Sequence, residues 1–184
     1  MIFKETPLAG AYVIELEKRE DERGFFARAF CENEFRAHGL SADVVQVNNS
    51  LSRRKGTVRG MHYQLAPKAE TKVVRCLRGA LFDIILDIRK GSPTFGKSFG
   101  AEISADNRKA MYVPKGFAHG FITLQDDTEA MYFVDEFYAP THERCIRWND
   151  PRFAIAWPAP MTVISDKDRN QKDFDPAWHL EAPA

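Results

Sequence analysis

The feature that most constrains the fold of this chain is a run of short, strand-like segments from about residue 44 to residue 138. The segment Ala80–Arg89 is the clearest, because apolar and polar side chains alternate along it: Phe82, Ile84, Leu86 and Ile88 on one face, and Asp83, Asp87 and Arg89 on the other. Turn sequences, such as Arg78-Gly79 before it and Lys90-Gly91-Ser92-Pro93 after it, separate such segments. Many short strands with regular turns predict an all-β sandwich or closed barrel.

The same patterns locate the other elements. Strands are predicted at Ala9–Leu16, from Phe25 to Phe30, from Val44, and at Gly56–Leu65, Lys72–Leu77, Phe99–Ser104, Ala110–Val113, Ala118–Leu124 and Ala130–Tyr138. One short helix is predicted at Glu32–His38, followed by Gly39, which suits a helix end. The length of 184 residues suits one domain, residues 1–184. The Pro-rich, charged tail after Trp157 either wraps the barrel or frays.

Charge and cysteine content bear on partners and compartment. The 26 basic and 26 acidic residues cancel, so no global positive field favours nucleic acid, and local arginines and lysines must meet any anionic ligand. The three cysteines (Cys31, Cys76 and Cys145) are widely spaced, as expected for reduced thiols in a cytoplasmic protein. No signal peptide is apparent at the N-terminus, and no apolar stretch approaches membrane-spanning length.

Two stretches contain a histidine beside other reactive groups. Gly56–Gln64 reads GTVRGMHYQ, and a strand there would place His62 and Gln64 on one face. A lone histidine on a strand is more often structural than functional. Tyr112–Phe121 contains Pro-x-Gly-x-x-His, ending at His119, and this spacing resembles the second motif of the cupins, which are small jelly-roll barrels.

The cupin resemblance also bears on metal binding. Metal cupins bind their ion through two histidines and a glutamate of the first motif and the histidine of the second. Here His62 is followed by Gln64 where the second histidine would be, with Glu70 further on. An amide oxygen is a weaker ligand than imidazole for transition metals, so we expect no metal. A non-catalytic cupin that binds a metal or a sugar nucleotide remains the alternative from another class.

Longer motifs extend the resemblance to one family. In order, the chain contains GTVRGMHYQ, P-x-x-E-x-KVVRC, DIRKGSPTFG, VPKGFAHGF, RWNDP and SDKD. Together they resemble the dTDP-4-dehydrorhamnose 3,5-epimerases from about Asp21 to Asp168, which is most of the chain. The resemblance implies a cofactor-independent isomerase with a cupin-like jelly-roll fold. Such an enzyme inverts carbons 3 and 5 of a nucleotide-linked 4-keto-6-deoxyhexose, both next to the ketone. Epimerases that act at only one of these carbons share the scaffold.

The resemblance also implies catalytic roles. His62 is the base, since neutral imidazole accepts a proton near pH 7. Asp168 is its carboxylate partner, favoured over the neighbouring Asp166 by its position in the motif. Lys72 and His119 lie near the ketone, where donors stabilise the developing oxyanion. Tyr132 returns a proton to the opposite face of the sugar.

Further positions are implied for binding. Arg23 and Arg59 hold the nucleotide, while polar contacts and stacking come from Gln46, Asn48, Phe26 and Tyr138. Family members are homodimers with exchanged N-terminal strands, so residues 23–28 are expected to line the partner's site. Many members have a glutamate where this chain has Arg28, which leaves the identity of the nucleoside and the sugar open.

Overall fold

Two mainly antiparallel β-sheets form the body of the computed structural model, which describes residues 1–181. In spatial order, the first sheet consists of β1 (Ile2–Glu5), β2 (Tyr12–Glu15), β10 (Ala110–Val113), β7 (Lys72–Arg78), β12 (Thr128–Val134) and β5 (Gln46–Ser52). The second consists of β13 (Glu143–Cys145), β6 (Thr57–Gln64), β11 (Phe117–Thr123), β8 (Ala80–Asp87) and β9 (Ser98–Ser104), with β14 (Val163–Ile164) beside β6. Neither sheet closes on itself, so the cupin-like fold is a sandwich.

The remaining elements are short. A separate hairpin pairs β3 (Arg19–Asp21) with β4 (Gly24–Phe26). The helices are α1 (Glu32–Ala37), α2 (Asp166–Arg169) and α3 (Pro176–His179). None of the helices in residues 1–181 has the length and apolar character needed to span a membrane.

An apolar core fills the space between the two sheets along most of their length. It takes side chains from both, including Val74 and Ala130 of the first sheet and Leu81, Ile85 and Phe121 of the second. Side chains two residues apart on a strand point to the same face, so the residues two positions from these core residues also point inward. Lys72 precedes Val74, Tyr132 follows Ala130, and His119 precedes Phe121. Three polar residues therefore continue the inward faces at one end of the core.

The outer faces of both sheets are also covered. The segment after β13 packs Phe153, Trp157 and Phe174 against the outer face of the second sheet. Helix α1 packs the fully buried Phe35 against the outer face of the first sheet. Of the two alternatives for the tail after Trp157, wrapping is the one observed, as far as residue 181. The last three residues of the predicted domain lie outside the described part.

Several predicted elements differ from those observed. The predicted strand from Phe25 to Phe30 is wrong at its end, because β4 stops at Phe26 and Phe30 packs against the aromatic rings of Phe35 and Phe133. The predicted strand Ala9–Leu16 is shorter, since Gly10 turns the chain with φ +87°. Alternation in β8 does not separate a core face from a solvent face, because both faces are buried. The short strands β1, β3, β13 and β14 and the helices α2 and α3 were not predicted.

Candidate active site

A polar cavity of about 320 Å³ opens at the end of the core, between the two sheets. It is lined by Gln46, Asn48, His62, Tyr63, Gln64, Glu70, Lys72, Tyr132, Val134, Tyr138 and Glu143. A smaller recess of about 150 Å³ shares His62, Lys72 and Tyr132 with it and adds Ser50, Arg59, His119 and Phe121. Eight of the eleven predicted site residues line the cavity or the recess, and a ninth, Asp168, contacts His62. The other two are Arg23 and Phe26.

A bulge in β6 brings Arg59 to the same side as His62, although strict alternation would place them on opposite faces. His119 of β11 pairs with His62, but Phe121, two residues further along, pairs with Arg59, three residues back. The extra residue lies at Gly60, which has φ +117°. A Cβ atom there would lie 2.5 Å from the Cα of Gly120, so the close approach of β6 and β11 requires glycine.

His62 and Asp168 form a hydrogen-bonded pair, with 2.8 Å between His62 Nε2 and Asp168 Oδ1. Asp168 belongs to α2, where its backbone N–H donates to the Ser165 hydroxyl that caps the helix. Burial alone would raise the pKa of the Asp168 carboxyl, but the hydrogen bonds from His62 and the Gly60 N–H outweigh burial and lower it. The carboxylate therefore accepts the Nε2 proton, which leaves Nδ1 of His62 as the proton acceptor.

Lys72, Glu70 and Tyr132 form the wall contributed by the first sheet. Lys72 Nζ lies 2.9 Å from Glu70 Oε1, and both side chains are nearly buried. The same ammonium lies 6.0 Å from the centre of the Tyr132 ring. Burial, and to a smaller extent the Glu70 charge, raises the pKa of the Tyr132 phenol. Tyr132 therefore carries its proton at neutral pH.

His119 lines the recess and bonds through Nε2 to Asp83 Oδ1 at 2.8 Å. Both side chains are buried. The carboxylate comes from β8, whose Asp83 pairs with Phe121 of β11, two positions beyond His119. This diagonal arrangement places both side chains on the inward face.

The remaining predicted contacts line the edge of the cavity. Arg59 donates from Nε to the Ser52 hydroxyl at 3.2 Å and from a terminal nitrogen to the Leu51 carbonyl. Gln46 Oε1 accepts from the Tyr138 N–H at 2.8 Å, which positions the loop that carries this exposed ring. Asn48 pairs with Tyr132 across the sheet.

Glu143 and Lys167 belong to the site although the sequence did not indicate them. The Glu143 carboxylate accepts a hydrogen bond from the Tyr138 hydroxyl at 2.9 Å and another from Lys167 Nζ at 2.7 Å. Burial opposes ionisation of Glu143, yet these bonds and the nearby His62 lower its pKa. An aromatic ring, a carboxylate and an ammonium thus form the rim opposite Lys72.

Gln64 has a structural role. Its Nε2 donates to the carbonyls of Lys68 and Phe137, and its Oε1 accepts from the Ala139 N–H. With both ends of the amide engaged, Gln64 holds the 137–139 loop in place.

One group of donors within residues 1–181 has metal-like spacing, with ligand atoms of His62, Cys145 and Asp168 within 4.8 Å of one another. It is a poor metal site for two reasons. Burial, followed by the Asp168 charge, raises the pKa of the Cys145 thiol far above neutrality, so the thiolate that a metal requires is disfavoured. His62 and Asp168 already satisfy each other.

Arg23 and Phe26 do not line the cavity of their own chain. Both lie on the β3–β4 hairpin, where the Arg23 side chain is 85% exposed and paired with Asp21, and Phe26 is 72% exposed. Arg28 pairs with Glu34 at 3.1 Å. The hairpin therefore presents a cation and an aromatic ring to solvent.

Sequence reasoning missed Glu143, Lys167 and Asp83 as site components, and it named Glu70 only in the comparison with metal cupins. A signal existed for Asp83, because a carboxylate between Leu81 and Ile85 must be paired if the strand is buried on both sides. Glu143 had none, since β13 is three residues long and has no alternation to detect.

Comparison with known proteins shows the family to which the chain belongs. The sequence model of the dTDP-4-dehydrorhamnose 3,5-epimerase family matches residues 5–175. The enzyme of that name from Sinorhizobium fredii is 46% identical over 172 residues, which cover 93% of this chain and 88% of that protein. A Legionella pneumophila dTDP-6-deoxy-D-glucose-3,5-epimerase, solved with dTDP-4-keto-L-rhamnose, is 36% identical with a TM-score of 0.89, covering 100% of this chain and 98% of the other. A 3′-monoepimerase from Streptomyces bikiniensis, solved with dTDP-quinovose, is 34% identical with a TM-score of 0.84, covering 92% and 86%.

Proposed function

Because the chain belongs to the dTDP-4-dehydrorhamnose 3,5-epimerase family, we propose that its cavity converts dTDP-4-dehydro-6-deoxy-D-glucose to dTDP-4-dehydro-L-rhamnose, in dTDP-rhamnose biosynthesis. The observation that supports this most directly is the origin of two side chains. His62 comes from one sheet and Tyr132 from the other, and both line the same cavity. A sugar ring held between them has a proton acceptor on one face and a proton donor on the other, as inversion requires.

Proton abstraction is the role proposed for His62. Asp168 fixes the ring with its Nε2 proton towards the carboxylate, so Nδ1 takes the hydrogen from carbon 3 or carbon 5. The C–H bonding pair moves into a C–C double bond, and the ketone π pair moves to the oxygen at carbon 4. Asp168 then stabilises the imidazolium that forms.

Lys72 is proposed to stabilise the enolate oxygen. It is a nearly buried ammonium that lines the cavity together with His62 and Tyr132. Charge in a site shielded from water is worth more than in bulk solvent, and one such donor typically lowers the barrier by about 2.7 to 4 kcal/mol. The ion pair with Glu70 holds the ammonium in place before substrate binds.

Tyr132 is proposed to return a proton to the carbon from the other face. Its raised pKa keeps the phenol protonated in the resting enzyme. The enolate collapses to the ketone as the carbon takes the phenolic proton, and the configuration at that carbon is inverted. His62 then releases its proton to solvent and the Tyr132 phenolate takes one up, which restores both groups, and the cycle is repeated at the second carbon.

Substrate binding is assigned to the rim. Arg59 is proposed to bind the diphosphate, since guanidinium groups match phosphate oxygens in charge and geometry. Tyr138 is proposed to stack on the base or the sugar, while Gln46 and Asn48 offer amide groups at the end of the cavity. No cofactor takes part in these steps.

We also propose a homodimer in which the β3–β4 hairpin reaches the partner's cavity. β5 lies at the edge of the first sheet and exposes Val47 and Leu51, and an unpaired strand edge of this kind favours pairing with another chain. Arg23 and Phe26, which contribute nothing to their own cavity, would then complete the nucleotide site of the partner. The free thiols of Cys31, Cys76 and Cys145 support a reducing, cytoplasmic compartment.

Incubation with dTDP-4-dehydro-6-deoxy-D-glucose in heavy water tests the proposed activity. Proton and carbon NMR should show deuterium at both carbon 3 and carbon 5. No deuterium at either carbon would rule out epimerisation. Deuterium at carbon 3 alone would instead support the second candidate, a 3-monoepimerase. This candidate is suggested by the similarity to the 3′-monoepimerase from Streptomyces bikiniensis.

A further inference from the structure

Asp83 is a buried carboxylate that the steps described above leave without a role. It lies on the inward face of β8 between the core residues Leu81 and Ile85, and its side chain is 0% exposed. Its Oδ1 bonds to His119, whereas its Oδ2 is buried and has no hydrogen-bond partner among residues 1–181. A carboxylate in this position depends on His119 alone.

The pairing constrains where the protons are. If Asp83 is ionised and His119 is neutral, the pair buries a net negative charge with one oxygen unsatisfied, which is costly in a site of low dielectric. A second proton on the His119 ring makes the pair neutral overall. The resulting imidazolium stabilises the Asp83 carboxylate, which has no other partner among the described residues. In this form, both ring nitrogens of His119 are donors.

The contrast with His62 explains why two similar pairs differ. Asp168 receives a second hydrogen bond, from the Gly60 N–H to its Oδ2, and His62 is 32% exposed. Asp168 is therefore stabilised as a carboxylate without a charged histidine, and His62 stays available as a base. Asp83 has no second donor within the described residues, and His119 is nearly buried.

Other charged and titratable groups face His119 from each neighbouring strand that forms the recess. Arg59 and His62 come from β6, Lys72 from β7 and Tyr132 from β12. The positive charges of Arg59 and Lys72 oppose protonation of His119. Glu70 offsets the charge of Lys72 at 2.9 Å, whereas Asp83 is in direct contact with the imidazole and is fully buried. The closest and least screened charge is therefore negative.

We propose that Asp83 is a positioning residue that orients His119 and holds it as an imidazolium. Nε2–H donates to Asp83, and Nδ1–H, which bonds to no residue in 1–181, remains as a second donor beside Lys72 for the oxyanion at carbon 4. This inference rests on the proposed function for its catalytic consequence. The charge state of His119 does not depend on that function and can be measured separately.

Nitrogen-15 NMR of histidine-labelled protein tests the charge state without substrate. The chain has five histidines, so His119→Asn assigns the signals. At pH 7 in the wild type, both His119 nitrogens are expected to have the chemical shifts of a protonated ring, and in Asp83→Asn one should shift to the unprotonated range. A neutral His119 in the wild type, or an unchanged one in Asp83→Asn, would overturn the proposal.

Kinetics of the same variant test the consequence. Loss of one oxyanion donor should lower kcat about 10²-fold or more while KM changes little. Asp87→Asn is the matched control, since Asp87 lies on the same strand, is equally buried and pairs with Arg89 outside the cavity. It should leave the His119 signals unchanged.

A kcat for Asp83→Asn within a few-fold of wild type would overturn the catalytic part of the proposal. A wild-type protein that exchanges no deuterium would refute the proposed function but would leave the NMR result on His119 valid.

Discussion

Of the two histidines at the site, His62 is partly exposed and His119 is nearly buried. Exposure suits a base that must reach a carbon-bound hydrogen. Its partner Asp168 is nearly buried, so one end of the pair is fixed by the fold and the other faces the substrate. The position of His62 follows from the strand, and its tautomer follows from the carboxylate.

Replacing His62 by alanine should abolish most turnover and leave the fold intact. The expected loss in kcat is about 10² to 10⁴-fold, the usual contribution of a general base. The matched control is His142→Ala, because His142 lies outside the cavity and, within residues 1–181, its side chain bonds only to Thr141. Circular dichroism should be unchanged in both variants. Wild-type turnover in His62→Ala would remove His62 from the role of base.

Asp168→Asn should show the lowered pKa of this carboxyl as a pH-dependent stability difference. A carboxyl whose pKa is lower in the folded state stabilises the protein above its ordinary value of 3.8, and the stabilisation is lost as the pH falls through the folded value. The difference in free energy of unfolding between wild type and Asp168→Asn should therefore shrink as the pH falls below 3.8.

Urea denaturation at a series of pH values measures this difference. Asp166→Asn is the control, because Asp166 lies two positions away on the same helix with its side chain 89% exposed. It should show little difference from wild type at any pH. An equal pH dependence in both variants would mean that the His62–Asp168 bond does not stabilise the carboxylate.

For individual residues, the sequence predicted several of the side chains that line the cavity, but not all of their hydrogen-bond partners. His62, Lys72 and Tyr132 could be proposed because long motifs surround them. The bond between Asp83 and His119 depends on the pairing of β8 with β11, which alternation within a single strand does not reveal. The sequence showed Gln64 at a position where metal cupins have a histidine ligand, but its two hydrogen bonds to the distant 137–139 loop were not predictable.

At the scale of elements, the bulge in β6 decides the shape of the site. It turns Arg59 to the side of His62, and Gly60 makes the bulge compatible with the neighbouring strand. Alternation predicts regular strands, so it located β6 correctly but assigned Arg59 to the wrong face. Strands such as β8 and β11 were predictable because apolar residues run along both of their buried faces, whereas β13, β14 and α2 form through tertiary contacts rather than through local pattern.

Gly60→Ala should destabilise the protein more than a glycine substitution in open space. A Cβ atom at Gly60 would overlap the backbone of Gly120, whereas Gly91, also at positive φ, has nothing within 4 Å. Gly91→Ala should cost about 1 to 2 kcal/mol from the backbone conformation alone. Gly60→Ala should cost clearly more and should reduce turnover. Equal melting temperatures of the two variants would show that the bulge does not need this close approach.

At the scale of the whole molecule, Arg23 and Phe26 lie on an exposed hairpin and do not line the cavity of their own chain. The family resemblance implies that this hairpin lines the partner's site, and this stays a prediction. The fold class was predictable from the strands, whereas the proposed dimer depends on surface contacts that strand patterns do not reveal.

Mixing two inactive variants tests the proposed exchange. Arg23→Ala and His62→Ala should each be impaired as homodimers. If the hairpin crosses, a mixed dimer has one cavity with both Arg23 and His62, so unfolding and refolding the mixture should restore about half of the wild-type activity per mixed dimer. If each hairpin serves its own chain, every cavity in the mixed dimer is defective and no activity returns.

The central claim is that His62 and Tyr132 act on opposite faces of the sugar, and Tyr132→Phe in heavy water tests it most directly. His62 remains able to remove the hydrogen and return deuterium to the same face. The substrate should therefore gain deuterium at carbon 3 or carbon 5 with its configuration retained, while the inverted product nearly disappears. Inversion at the wild-type rate in Tyr132→Phe, or exchange lost altogether while His62 is intact, would contradict the account.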